Sequence, residues 1–312
     1  KTELSRILCL YQKLQPHHMN LNFHQQKKTI EYRPFLVKEE KLLVIALESQ
    51  DIKKITTAIK AVIKACILTK GIKVEELPTF DIEYLFLNIR GKSVGEDIDV
   101  KIICPDDNKT EVTATVNLDD IKVIKSEDHS TKVKLDKNLM MELKYPSLNE
   151  FIKSNFDASD LERSAMDQSF DLVSSCIDKI YSEEEVWIAA DCTKKEVKDF
   201  LESMNSAQFK KIEKFFETMP KLSHTLTVTN PKTKVKNDIL LEGLASFFRL
   251  SMVHMDLENY YRLNFSMMQY HKYSLTEIEN MIPWERDIYV GLLQAHLEEE
   301  KLKEQQRKAS NG

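Results

Sequence analysis

The sequence predicts an α+β fold, mainly helical, with a small antiparallel sheet in the N-terminal half and an inserted β-hairpin before a C-terminal helical block. Three observations carry this. Apolar residues recur at three-four spacing through most of the chain. Four short β-branched or apolar segments between residues 98 and 145 are separated by turn formers. One later run, 222–228, alternates Leu222, His224, Leu226 and Val228 with Ser223, Thr225 and Thr227.

Taken in order, residues 1–28 crowd Gln12, Gln15, His17, His18, His24, Gln25 and Gln26 into a stretch without a clear apolar period, so an irregular segment is expected. His17 and His18 are neighbours and cannot share a helix face, which argues against a metal site there. The run from Tyr32 to Glu48 is the clearest signal. Pro34 fixes its own φ and pushes Arg33 towards an extended conformation, so an extended arm enters and a helix leaves. Residues 42–47 are apolar on every side, and that helix is expected to be buried all round.

From Asp51, the residues Ile52, Ile55, Ile59, Val62, Ile63 and Cys66 mark an amphipathic helix that Lys70-Gly71 ends. Pro78-Thr79 opens another, with Thr79 as the expected N-cap, Asp81 and Glu83 in its first turn, and Ile82, Leu85, Phe86 and Ile89 on one face. Gly91 and Gly95 close it. Segments 98–104, 111–118, 121–125 and 139–145 then read as one small sheet. Helical periodicity resumes after Pro146 and runs with breaks to Met219. Thr193 and Glu196 form a capping box, and Ser206 is the expected cap of the next helix. Residues 222–228 and 235–241 make a hairpin through Asn230-Pro231-Lys232-Thr233. The last block is helical and rich in Met and aromatics, with a second capping box at Ser274 and Glu277. Pro283 opens the final helix, whose residues 298–308 form a solvated tail. The expected organisation is an N-terminal segment 1–28, an α+β domain 29–146, a helical region 147–220, and a hairpin with C-terminal helices 221–312.

Composition narrows function. The 312 residues are 30% charged with a net charge of -5, and no basic stripe suited to phosphates is visible. No apolar run approaches the roughly eighteen residues a bilayer span needs, and no leader pattern opens the chain, so a soluble protein of the cytosol is expected. Five widely spaced cysteines without a CxxC pair fit reduced thiols. Six scattered glycines cannot cradle a phosphate.

Enzyme motifs are sparse. There is no GxSxG elbow and no HExxH. His254 and Glu258 share a helix face, a spacing that chance supplies in a helical protein. Asp106 followed by Glu111-Val112-Thr113 has the two acids of a metal-dependent nuclease or hydrolase, but Thr113 stands where its lysine would be. No catalytic residue, cofactor or metal ligand is expected, and the chain reads as built for contacts.

Four ordered strings go further. They are Tyr32-Arg33-Pro34-Phe35-Leu36-Val37-Lys38-Glu39-Glu40-Lys41-Leu42-Leu43, then Phe86-Leu87-Asn88-Ile89-Arg90-Gly91-Lys92-Ser93-Val94-Gly95-Glu96, then Asn117-Leu118-Asp119-Asp120-Ile121, then Ile282-Pro283-Trp284-Glu285-Arg286-Asp287-Ile288-Tyr289. Together they resemble the baseplate protein family of T-even-type contractile-tailed bacteriophages, which holds the baseplate central hub subunit and the hub assembly catalyst. The word catalyst there describes promotion of assembly.

The resemblance implies a role in building the baseplate hub by protein contacts. The expected form is a transient assembly factor in the host cytoplasm. The alternative is a structural hub subunit retained in the virion. Its implied partners are other baseplate hub and tail proteins, rather than nucleic acid, membrane or a small molecule. Contact candidates are Met267, Tyr270, Trp284, Glu285 and Arg286, on the Met- and aromatic-rich helices and the last helix start. Two departures stand out. Some members carry a Cys-Pro-x-Cys-like pair, and here Cys104-Pro105 is followed by Asp107 in place of the second thiol. The first 26 residues also lack the family's proline-containing opening. Reading Pro16 to Lys27 one base earlier permits such an opening, so a one-base frame change near Lys27 is expected.

Overall fold

The computed structural model describes residues 17–23, 26–150, 165–242, 246–247 and 255–310. Its first feature is a hairpin. β1 (His17–Phe23) pairs antiparallel with β2 (Gln26–Tyr32), with Phe23 opposite Gln26 and His17 opposite Tyr32. Residues 17–23 and 26–28 are therefore strand where an irregular segment was expected. The sequence holds the reason: Met19, Leu21 and Phe23 alternate with Asn20 and Asn22, and Ile30 and Tyr32 keep the same two-residue period. Residues 1–16, 24 and 25 lie outside the described residues.

Beyond Pro34 the chain enters α1 (Val37–Glu48), as proline geometry requires. This helix is not buried all round. Leu43, Val44 and Ala46 are buried, while Leu42 and Ile45 remain 47% and 43% exposed. A helix apolar on every side has two faces to cover, and the fold covers one. Asp51 caps α2 (Ile52–Cys66) by accepting from the Lys53 and Lys54 amides. α3 (Thr79–Val94) starts one residue earlier than expected, with Pro78 at the cap position and Thr79 already helical. Gly95 ends it at φ 136, a conformation open to glycine and strained for L side chains. Ile30, Phe35, Leu43, Ile59, Ile63, Leu85, Phe86 and Ile89 form the core among these elements.

The four β segments do not make one sheet. β3 (Asp97–Ile103) pairs with β4 (Glu111–Asn117) alone. β5 (Lys122–Ile124) joins β10 (Lys221–Thr229), which also pairs with β11 (Lys236–Glu242), so the expected later hairpin gains a third strand. Its pairing sets Leu222 opposite Val123, and Leu222 is fully buried with Ile121, Val116 and Phe247. A two-residue period marks a strand but not its partner; the shared apolar face chose it.

The fourth strand, β7 (Met140–Leu143), lies between β6 (Lys132–Lys134) and β8 (Ile177–Tyr181), with β9 (Val186–Ile188) at the edge. β8 and β9 fall where only helices were expected. Around them pack α4 (Ala165–Cys176), α5 (Lys194–Glu202) and α6 (Ser206–Thr218). The Thr193–Glu196 capping box opens α5 as expected. Asn205, not Ser206, caps α6, because its amide oxygen reaches the Ala207 and Gln208 amides. Val133, Met141, Leu143, Val173, Ile177, Leu201, Ile212 and Phe215 fill this third core.

α7 (Leu257–His271), α8 (Leu275–Glu279) and α9 (Pro283–Ser310) complete the fold. Ser274 and Glu277 form the expected box at α8. α9 is 28 residues long, is buried over its first turn, and is exposed at every position from Gln294 to Ala309. Phe248, Met252 and His254 lie outside the described residues.

Candidate functional site

The four sequence strings meet at one place. Arg33 arrives extended, and its guanidinium forks onto Glu39 with contacts of 2.9 and 2.6 Å while also donating to the Pro34 carbonyl. That planar fork matches a carboxylate, and the bond to Glu39 holds the guanidinium pKa above its usual value. Glu39 also accepts the Leu36 amide at 2.7 Å, closing the first turn of α1. One residue earlier, the Phe35 amide donates to Ser93 Oγ at 2.8 Å, and Ser93 donates to the Ile89 carbonyl. The first string is thereby tied to the second.

α3 carries that second string. Arg90 is buried and donates to the Gly95 carbonyl, and burial brings its guanidinium down to about 10. A Cβ at Gly91 would stand 3.7 Å from Leu118 Cδ1, and the Leu118 amide donates to the Glu96 carbonyl at 2.8 Å. The third string thus rests on α3 as well. The fourth closes the set from the far end of the chain. The Met281 carbonyl accepts the Val37 amide at 2.9 Å, Tyr260 donates to the Val37 carbonyl at 3.4 Å, and Arg286 Nη1 reaches Glu40 Oε2 at 2.8 Å. Arg286 also lies over the Tyr260 ring at 6.0 Å. The junction is closed and internally neutralised, and its residues fix one part of the fold against another.

The enzyme-like residues are placed apart from one another. Asp106 accepts from Thr233, Asn230 and Asn237, which hold its carboxylate below the usual range and tie the β3–β4 turn to the β10–β11 turn. Glu111 instead faces Lys101 at 3.5 Å. Asp107, where the second thiol of a zinc knuckle would stand, caps its own turn through Lys109 and Thr110. Among the described residues no three His, Cys, Asp or Glu side chains are grouped to hold a metal. Burial pushes the Cys66 and Cys176 thiols up to about 12, so neither is a ready nucleophile. Glu258 pairs with Arg262 at 2.6 Å.

Of the contact candidates, Met267, Trp284 and Arg286 are buried, and each packs the interior in this fold. Glu285 is half-buried, and Tyr270 is 70% exposed. The apolar side chains that do reach the surface of α7 include Tyr261 and Phe265, the latter 61% exposed, with Met268 beside them. Lys41 of α1 stands 5.6 Å above the Tyr261 ring. A helical wheel could have separated them, since Tyr260, Asn264 and Met267 share the buried face and Tyr261, Phe265 and Met268 the next one round.

Residues 17–249 match the family model described as T4 bacteriophage base plate protein. The chain belongs to that family. Residues 252–298 match a second model, the C-terminal domain of the baseplate hub assembly protein Gp51, which here covers α7, α8 and the first half of α9. No curated protein and no solved structure matches the chain. The two matches describe a bacteriophage baseplate hub assembly protein that works with other baseplate proteins. The first begins at residue 17, ahead of the frame change expected near Lys27.

Proposed function

We propose that this baseplate protein is a transient assembly factor that brings hub proteins together by contact, without chemical turnover, and is absent from the finished tail. The observation that carries this reading is the exposed aromatic and Met face of α7: Tyr261, Phe265, Met268 and Tyr270 stand outside a helix whose other face is locked to α1. Aromatic and Met side chains give large contact area on adaptable surfaces. Ile288, Tyr289 and Leu292 are further exposed apolar side chains, on α9. The partners in this reading are other baseplate hub proteins. A net charge of -5 disfavours nucleic acid, and no described helix is long and apolar enough to cross a membrane, which supports action in the host cytoplasm.

Co-purification from infected cells tests the contact face. Phe265→Asp and Tyr270→Asp, both at exposed positions, should keep the thermal melt and lose the hub proteins recovered with the tagged wild type. Undiminished recovery overturns the α7 surface. Mass spectrometry of purified tails tests transience, and recovery of the chain in stoichiometric amount would establish the retained subunit instead.

A further inference from the structure

β9 is an edge strand that nothing among the described residues covers. It consists of Val186, Trp187 and Ile188, with exposures of 63%, 42% and 48%. Native edges are blunted by charge, proline or a covering element, and three consecutive apolar residues do none of these. The register gives the two faces different jobs. Met141, Ile180 and Trp187 are opposite one another across three strands, and Met141 is fully buried, so Trp187 points to the core side. There the core is open. A cavity of about 250 Å³ is lined by Ile177, Ile180 and Trp187 of the sheet and by Val197 and Phe200 of α5.

The backbone is available too. The Ser182 amide donates to the Glu185 carbonyl at 2.8 Å, which makes that pair a bonded one. Antiparallel ladders alternate, so the amides of Val186 and Ile188 point away from β8 towards the open edge. A further strand laid there would continue the sheet and set one side chain beside Trp187 over the cavity mouth.

Charge identifies the occupant. Glu183, Glu184 and Glu185 lead into the strand and Asp191 follows it, all exposed, and among the described residues no cation pairs with the three glutamates. A second copy paired antiparallel about Trp187 would bring Glu183 against Asp191 of its mate, so self-pairing is disfavoured. We infer that β9 receives an extended segment of a protein partner, with alternating apolar side chains flanked by lysine or arginine. This surface is separate from the α7 face and does not depend on it.

The test uses the full chain and the synthetic peptide Lys-Lys-Thr-Val-Thr-Val-Thr-Lys-Lys, followed by amide hydrogen exchange and tryptophan emission. The expected result is slowed exchange at Val186 and Ile188 and a blue shift from Trp187, since Trp284 is already buried. Glutamates in place of the terminal lysines should weaken binding by about tenfold or more. Ile188→Pro should remove the effect while leaving the melt unchanged, because the Ile188 φ of -92 lies near proline's range and its amide is outside the ladder. Three results overturn the proposal: protection of both amides in the protein alone, which means this chain or a second copy covers the edge; no response to the lysine peptide; or equal binding of the glutamate peptide.

Discussion

Arg286 and Glu40, 246 residues apart in sequence, form a fully buried ion pair at 2.8 Å. Each charge is costly to bury without its opposite, so losing Arg286 takes the guanidinium from Glu40, and losing Glu40 leaves Arg286 with the half-exposed Asp287 carboxylate at 3.4 Å. Arg286→Met or Glu40→Leu should each destabilise the fold by about 3–5 kcal/mol in urea unfolding. The double variant should recover much of that loss, because Arg286 Nε finds no acceptor among the described residues even in the native pair. Additive losses would show that the two side chains do not act as a pair.

Ser93→Ala probes the tie between the first two strings. It leaves the buried Phe35 amide without an acceptor, and the expected cost is about 1–3 kcal/mol. The Phe35 amide should then exchange faster than its neighbours in native-state hydrogen exchange.

His129 makes stability depend on pH. Thr218 Oγ1 donates to the Lys214 carbonyl, so it accepts from His129 Nδ1, and Nε2 accepts from Tyr145, each contact being 3.0 Å. Burial, and secondly the charge of Lys125, lower the imidazole pKa in the fold. The unfolded chain therefore binds the proton more readily. This contribution is fully present above about pH 6.5 and is lost as pH falls through the lowered folded value. In His129→Gln the melting temperature should differ less between pH 7.5 and pH 5.5 than in the wild type. An unchanged difference would assign the pH response to other groups.

Asp106→Ala separates a turn from an active site. The amides of Asn230 and Lys234, bonded within the β10–β11 turn, should lose protection when Asn230, Asn237 and Thr233 lose their shared acceptor. An intact turn together with loss of a metal-dependent hydrolytic activity would restore the nuclease reading.

Much of this was legible where the determinants are local. The Thr193–Glu196 and Ser274–Glu277 boxes need only neighbours three residues apart, and the β10–β11 hairpin is set by its own alternation and turn. What depends on distant chain was not legible. Nothing near Val123 points to Leu222, and nothing near Arg286 points to Glu40, so a charged residue at a helix start reads as surface. Met267 and Met268 differ by one position, yet the first is 1% and the second 40% exposed, a distinction set by how α7 is rotated against α1. β9 escaped because three residues are too few to show a period.

The bare end of α9 has a mechanical meaning. With a rise of about 1.5 Å per residue, its sixteen exposed positions from Gln294 to Ala309 extend about 24 Å. His296 with Glu300, Glu299 with Lys303 and Glu304 with Lys308 staple successive turns from outside. Such a rod fixes a stand-off: whatever grips its tip is kept a couple of nanometres from the body, close enough to be aligned and too far to be packed against it.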